Sequence, residues 1–193
     1  MPETLSKWEF HPLTPDRWDD FEALFGPSRT CAGCWCMWFR LTRTEFERQS
    51  GEDKRLAMRA IVDSGRVPGI LAYAGGKVAG WCSVAPREEF GVLQRSRLLK
   101  PVDDRPVWSV VCFFIGKAYR GQGLIVRLLR TAVDYAAAQG AEIVEGYPTA
   151  PQKGKTDYAS LYHGTVSAFR KAGFVEVARP SETRSIMRYA IRG

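Results

Sequence analysis

No apolar run in the sequence approaches the roughly 20 residues needed to cross a bilayer. The opening residues, Met1-Pro2-Glu3-Thr4, lack the basic and apolar regions of a secretory signal. Both absences lead to the expectation of a cytoplasmic protein that does not associate with membranes. Internal repeats, low-complexity tracts and long linkers are missing too. The 193 residues suffice for one sizeable core and scarcely for two, so a single domain over 1–193 is expected. Runs of five or more basic residues are absent despite a net charge of +7. That charge reads as a solvated basic surface, and nucleic acid is disfavoured as a partner. Cysteine is present in an odd number, five, with Cys82 and Cys112 inside apolar runs. This usage suits a reducing compartment and not a disulfide scaffold.

What is present is ordinary for a globular domain: 45% hydrophobic and 25% charged residues. Lys7 to Pro12 reads as an opening strand. A rough apolar stripe over Pro15 to Phe25 reads as a helix stopped at Gly26-Pro27. A second helix is expected over Thr44 to Asp63, broken at Ser50-Gly51, where Ser50 and Asp53 have capping-box spacing. Gly69–Ala74 and Lys77–Val84 flank Gly75-Gly76, a strong hairpin signal. Residues 86–106 are polar and read as a loop. Val107–Ile115 is a nearly continuous apolar run, suited to a strand buried on both faces. Gly121–Gln139 carries an amphipathic stripe and precedes a strand over Ala141–Tyr147. A helix over Ser160–Ala172 and two antiparallel strands, Phe174–Ala178 and Thr183–Ile191, close the chain.

The junction Phe113 to Leu129 carries the sharpest chemical signal. A buried strand runs into Arg120-Gly121-Gln122-Gly123 and then directly into the amphipathic helix. Paired glycines allow a tight turn that points successive N–H groups at one place. With the positive end of the helix, they make a cradle suited to a pyrophosphate. Arg120 can add a charged contact or brace the loop.

This segment resembles the acyl-coenzyme A signature of the GNAT superfamily of N-acyltransferases, Arg/Gln-x-x-Gly-x-Gly/Ala, through Arg120 and Gly123. Ile125 departs from the usual Gly or Ala. The segment His163 to Phe174 resembles the superfamily's Asn-x-x-Ala-x-x-x-Tyr-x-x-x-Gly-Phe element through Gly173 and Phe174. His163 stands in place of the Asn that touches the cofactor arm, and Phe169 in place of the proton-donating Tyr. A Phe cannot donate a proton. The resemblance spans nearly the whole chain and implies an α/β fold: a central mixed twisted sheet of about six or seven strands with helices on both faces. It implies an acetyltransferase using acetyl-coenzyme A, or another short acyl donor, on a small-molecule or peptide amine. It also implies edge strands able to pair in a homodimer.

By the same resemblance the donor-binding residues are Phe113, Phe114, Ile115, Arg120, Gly121, Gln122, Gly123, Leu124, Ile125 and His163. Backbone N–H groups of Phe113 and Ile115 would face the pantetheine arm, and Arg120 to Leu124 the pyrophosphate. Glu145, on the strand opposite, is the candidate general base; the competing reading is an ion-paired or solvated carboxylate. Tyr147, Tyr158, Tyr162 and His163 are candidate acids or substrate contacts, with packing the competing role. Trp35, Met37, Trp38 and Phe39 form either an acceptor wall or core. Cys31-x-x-Cys34, even with Cys36 and His11, falls short of a structural zinc motif, so no metal is expected. Gly154-Lys155-Thr156 ends like a phosphate-binding loop, but Thr149 stands where that pattern needs Gly, and the reading is a mobile loop over the active site. The alternative to an enzyme is a non-catalytic acyl-coenzyme A or nucleic-acid-binding module on the same fold.

Overall fold

A computed structural model describes residues 8–26, 33–150 and 160–191. Seven strands form one sheet: β1 (Trp8–Pro12), β2 (Gly69–Ala74), β3 (Lys77–Pro86), β4 (Trp108–Ile115), β5 (Ile143–Gly146), β6 (Val175–Ser181) and β7 (Arg184–Ala190). Their order is β1-β2-β3-β4-β5-β7-β6, with β4 and β5 parallel and every other pair antiparallel. The expected mixed sheet flanked by helices on both faces is the one found.

Helices α1 (Trp18–Phe25) and α3 (Gly51–Asp63) cover one face. There Phe21, Phe25 and Met58 pack on Leu71, Trp81 and Phe114. Helices α5 (Leu124–Ala138) and α7 (Val166–Ala172) cover the other. Leu128, Leu129 and Ala132 of α5 meet Cys82, Val84 and Phe113 there. The alternation of β4 serves both layers at once, which is why its sequence is apolar at nearly every position.

Local chemistry explains where elements break. The helix expected over Thr44–Asp63 is two helices, α2 (Arg43–Arg48) and α3, each opened by its own capping box, Thr42 with Glu45 and Ser50 with Asp53. Gly164, at φ +74, splits the expected Ser160–Ala172 helix into α6 (Ser160–His163) and α7. The polar stretch 86–106 is not wholly a loop: it holds a 3-10 turn, Arg87–Glu89, and α4 (Gly91–Arg95). Its Phe90, Leu93 and Leu99 bury against Phe39, Val111 and Tyr147. Three apolar residues scattered among charges carried no helical period.

Gly146 ends β5 beneath Phe169. A Cβ on Gly146 would lie 2.2 Å from the Phe169 ring. Gly146→Ala should therefore cost about 1–3 kcal/mol by overpacking, read as a lower denaturant midpoint with an unchanged m value.

Candidate active site

Strands β4 and β5 run side by side only from Trp108–Val144 to Val110–Gly146. Beyond that point β5 stops and β4 continues for five residues. The separation coincides with a bulge: Ser83 faces Cys112 and Val84 faces Val110, leaving Val111 as the extra residue on β4. Gly116 N–H donates to Ala79 on β3, 2.9 Å away. By antiparallel alternation, Phe114 and Cys112 also direct their backbone groups to β3, and Phe113 and Ile115 direct theirs into the opening. The Val111 carbonyl faces the opening too, 3.1 Å from His163 Nδ1 on α6.

A cavity of about 320 Å³ fills the far end of this opening, at the start of α5. Of the residues the resemblance singles out, Phe114, Ile115, Arg120, Gly121, Gly123, Leu124 and Ile125 line it. Gly121 and Gly123 have φ of +76 and +73, left-handed values that admit glycine at little cost. No side chain caps α5, so its first-turn N–H groups face the cavity without a built-in acceptor. Arg120 braces the loop through Nε–H to the Ile115 carbonyl, 3.1 Å away. Ile125, the departure from the signature, is half-buried on the wall. Three of the named residues act otherwise: the Phe113 side chain is fully buried in the α5 core, the Gln122 amide donates back to Ala118 O, and His163 sits at Val111.

Apart from Tyr162, a candidate acid or substrate contact, the opposite wall carries no residue that the sequence singles out. Thr165, Ser167, Ala168 and Lys171, from the start and outer face of α7, line the cavity together with Tyr119 and Tyr162. Lys171 brings a positive charge to a cradle already suited to anions. The sequence signal for it was weak, since a lysine near a helix end is usually a solvated cap.

Glu145 and Tyr147 stand elsewhere than a catalytic reading of them requires. Glu145 is fully buried. Its Oε1 accepts from Arg87 at 3.1 Å and from the Tyr147 hydroxyl at 2.8 Å. Its Oε2 accepts from Arg188 at 2.7 Å. Arg188 also reaches Asp103 at 2.7 Å, and Arg87 reaches the carbonyls of Leu93 and Leu99. Tyr147 lies within 2.8 Å of Ser109 Oγ, and burial, then the Glu145 charge, push its phenol well above the ordinary range. This network ties β5 to β7 and to the 87–103 segment. It leaves no carboxylate oxygen exposed to an incoming amine.

Phe169, which stands in place of the superfamily's proton-donating Tyr, is completely buried among Phe113, Phe174 and Gly146. Phe169→Tyr would put a hydroxyl into that apolar cluster and should lose about 1–3 kcal/mol, with no gain in turnover; thermal unfolding beside a rate assay checks both.

The aromatic Cys-rich stretch is split. Trp35, Met37 and Phe39 are core, whereas Trp38 is 47% exposed and stacks edge-on with Phe46. Trp35 and Cys36 have φ of +46 and +59, and Met37 N–H closes the turn on Cys34 O at 2.9 Å. Two consecutive non-glycine residues in this region store of order 1–3 kcal/mol each. Among the described residues no cluster of three or more His, Cys, Asp or Glu could hold a metal. Cys31, Tyr158 and the Gly154-Lys155-Thr156 segment lie outside the described residues. No described helix is long and apolar enough to cross a membrane.

Comparison with known proteins agrees with this geometry. The family profile described as the acetyltransferase (GNAT) family matches residues 34–154. A search of curated proteins finds no match. A GNAT-family acetyltransferase from Streptococcus agalactiae superposes with a TM-score of 0.57 at 12% identity, covering 96% of each chain. The PaiA N-acetyltransferase of Thermoplasma acidophilum, solved with coenzyme A, gives 0.53 at 12% identity, covering 96% of this chain and 99% of its own. The aminoglycoside N-acetyltransferase AAC(6')-Iy, also solved with coenzyme A, gives 0.56 at 13%, covering 93% and 95%.

Proposed function

The chain belongs to the acetyltransferase (GNAT) family and is an acyltransferase, and from that premise we propose that it moves an acetyl or short acyl group from acyl-coenzyme A to a primary amine. The observation that carries the donor assignment is the cavity at the start of α5, walled by two left-handed glycines and Lys171. Pyrophosphate and the adenosine phosphate are the anions such a cradle suits. The pantetheine arm then takes the place β5 vacates, bonding the inward-facing backbone of Phe113 and Ile115 as an added strand would. An N–H of β4 polarises the thioester oxygen, and the neutral amine attacks the carbonyl carbon directly from the side covered by the Cys34–Leu41 segment.

Glu145 and Tyr147 take a positioning role, fixing β5 where β4 parts from it. His163, with Nδ1 protonated, donates to the Val111 carbonyl and holds the bulge open. The acceptor is a small-molecule or peptide amine; the one aminoglycoside N-acetyltransferase among the similar structures lends one class to test. We place the enzyme in the cytoplasm as one domain over residues 1–193, with the edge strands β1 and β6 available for a homodimer and with neither membrane nor nucleic acid as partner. The test is incubation with acetyl-coenzyme A and a panel of amino sugars, polyamines and short peptides, followed by mass spectrometry. A gain of one acetyl group on a primary amine, with stoichiometric release of free coenzyme A, is expected. Acylation confined to hydroxyls, or none with any acceptor, contradicts the reading.

A further inference from the structure

Burial of Glu145 and replacement of the usual tyrosine by Phe169 leave the acceptor's proton without an assigned destination. One titratable side chain touches both the donor strand and the wall on the acceptor's side. His163 is half-buried at the end of α6, and its chain neighbours Tyr162 and Thr165 line the donor cavity. Its Nδ1 lies 3.1 Å from the Val111 carbonyl, on the open edge of β4. Its ring meets that of Phe39 edge-on, with centroids 5.6 Å apart and planes at 89°. Phe39 belongs to the Cys34–Leu41 segment, the side from which the amine approaches.

The backbone fixes this place. Gly164, at φ +74, stops α6 directly after His163, and its carbonyl accepts from Thr149 N–H at 3.1 Å. A Cβ on Gly164 would stand 3.1 Å from Phe169 and 3.3 Å from Phe113, so the turn is packed on the core. The end of α6 therefore sits over the gap that β5 leaves. A backbone carbonyl only accepts hydrogen bonds, so Nδ1 bears the proton that faces Val111. In the neutral ring the lone pair is then on Nε2. The Val111 carbonyl and the Phe113 N–H are successive groups facing the opening, no more than about 7 Å apart along the strand. A thioester oxygen held by Phe113 N–H thus places its carbonyl carbon within reach of Nε2 through the amine, or through the amine and one water.

We propose that His163 is the catalytic base toward the acceptor amine, its bond to the Val111 carbonyl fixing the tautomer that leaves Nε2 basic. This rests on the acyltransferase reading above. As the amine lone pair forms the N–C bond, the nitrogen gives one proton to Nε2 and the ring becomes imidazolium. When the C–S bond breaks, its electron pair leaves on the coenzyme A sulfur. The imidazolium returns the proton to that sulfur, so amide and free coenzyme A form and His163 ends neutral, as it began. A histidine that only held the bulge would need nothing beyond its Nδ1–H. Asparagine, the residue of the superfamily element at this position, offers an N–H for the same bond but no basic nitrogen.

Two measurements on the full chain test this, and the first needs no acceptor. The chain has two histidines, so His11 serves as an internal control. Diethyl pyrocarbonate acylates an unprotonated ring nitrogen, and peptide mass spectrometry locates the product. His163 should react in the wild type, and acetyl-coenzyme A at about ten times its Kd should slow that reaction about tenfold while leaving His11 unchanged. Hydrolysis of acetyl-coenzyme A, with water in place of the amine, gives the rate. His163→Asn should bind acetyl-coenzyme A as the wild type does and slow by about 10²-fold. An Asn variant within about twofold of the wild-type rate overturns the proposal and leaves donor binding standing, as does a His163 that does not react or reacts equally fast with the donor bound. Wild-type protein that does not bind acetyl-coenzyme A overturns the reading beneath it as well.

Discussion

Replacing Glu145 by alanine should unfold the protein more readily than any single change near the cavity. The carboxylate lies between the Arg87 and Arg188 guanidiniums, and all three side chains are at most 8% exposed. Its removal leaves two buried cations facing each other with no anion between them. Breaking a buried pair this way costs about 3–5 kcal/mol, which in a chain of this size lowers the unfolding midpoint by roughly 6–20 °C. A catalytic carboxylate would behave differently: Glu145→Gln would keep the fold and lose a pH limb. Here Glu145→Gln should lose stability, retain donor affinity and leave the pH profile of turnover unmoved. Replacing the triad together, Glu145→Leu with Arg87→Met and Arg188→Met, should restore most of the midpoint, since apolar packing then substitutes for all three charges. The rim of the network adds an acid dependence. Arg188 holds the Asp103 carboxyl down to about 2. With a depressed folded value, this contribution is complete above the ordinary value of about 3.9 and is lost as pH falls toward 2.

Gly123→Trp should abolish donor binding while leaving the fold intact. Gly123 stands at the N-cap of α5, and a Cβ built on it meets nothing within 4 Å. A larger side chain therefore projects into the cavity instead of into the core. It also loses the conformational freedom of glycine at φ +73, a cost of about 1–2 kcal/mol. Unfolding should change by about that amount, while acetyl-coenzyme A affinity falls by at least about 100-fold, equivalent to 2.7 kcal/mol of lost binding. A thermal-shift series with and without acetyl-coenzyme A separates the two: the ligand raises the wild-type midpoint and leaves the variant's unmoved.

Much of this was legible in the chain because it is written in local chemistry. Gly75-Gly76 marks the β2–β3 hairpin, with φ of +55 and +75. Ser50 and Asp53 mark a helix start, and Arg120 to Gly123 mark the cradle. The unforeseen features depend on residues distant in sequence meeting in space. Glu145 is 58 residues from Arg87 and 43 from Arg188, so nothing local distinguishes a buried ion pair from a poised base. Lys171 reaches the cavity only because Gly164 turns α7 away from α6. The Cys36 sulfur meets its donor Trp81 across 45 residues of chain, and the sequence around Cys36 suggests half a zinc motif instead.

The most direct test of the acyl-coenzyme A assignment is calorimetric titration of the wild-type protein with acetyl-coenzyme A. One site per chain, with affinity weakened by added salt as expected for phosphate contacts and reduced by Lys171→Glu, is the predicted result. Absence of binding at low salt in protein shown to be folded would contradict the account.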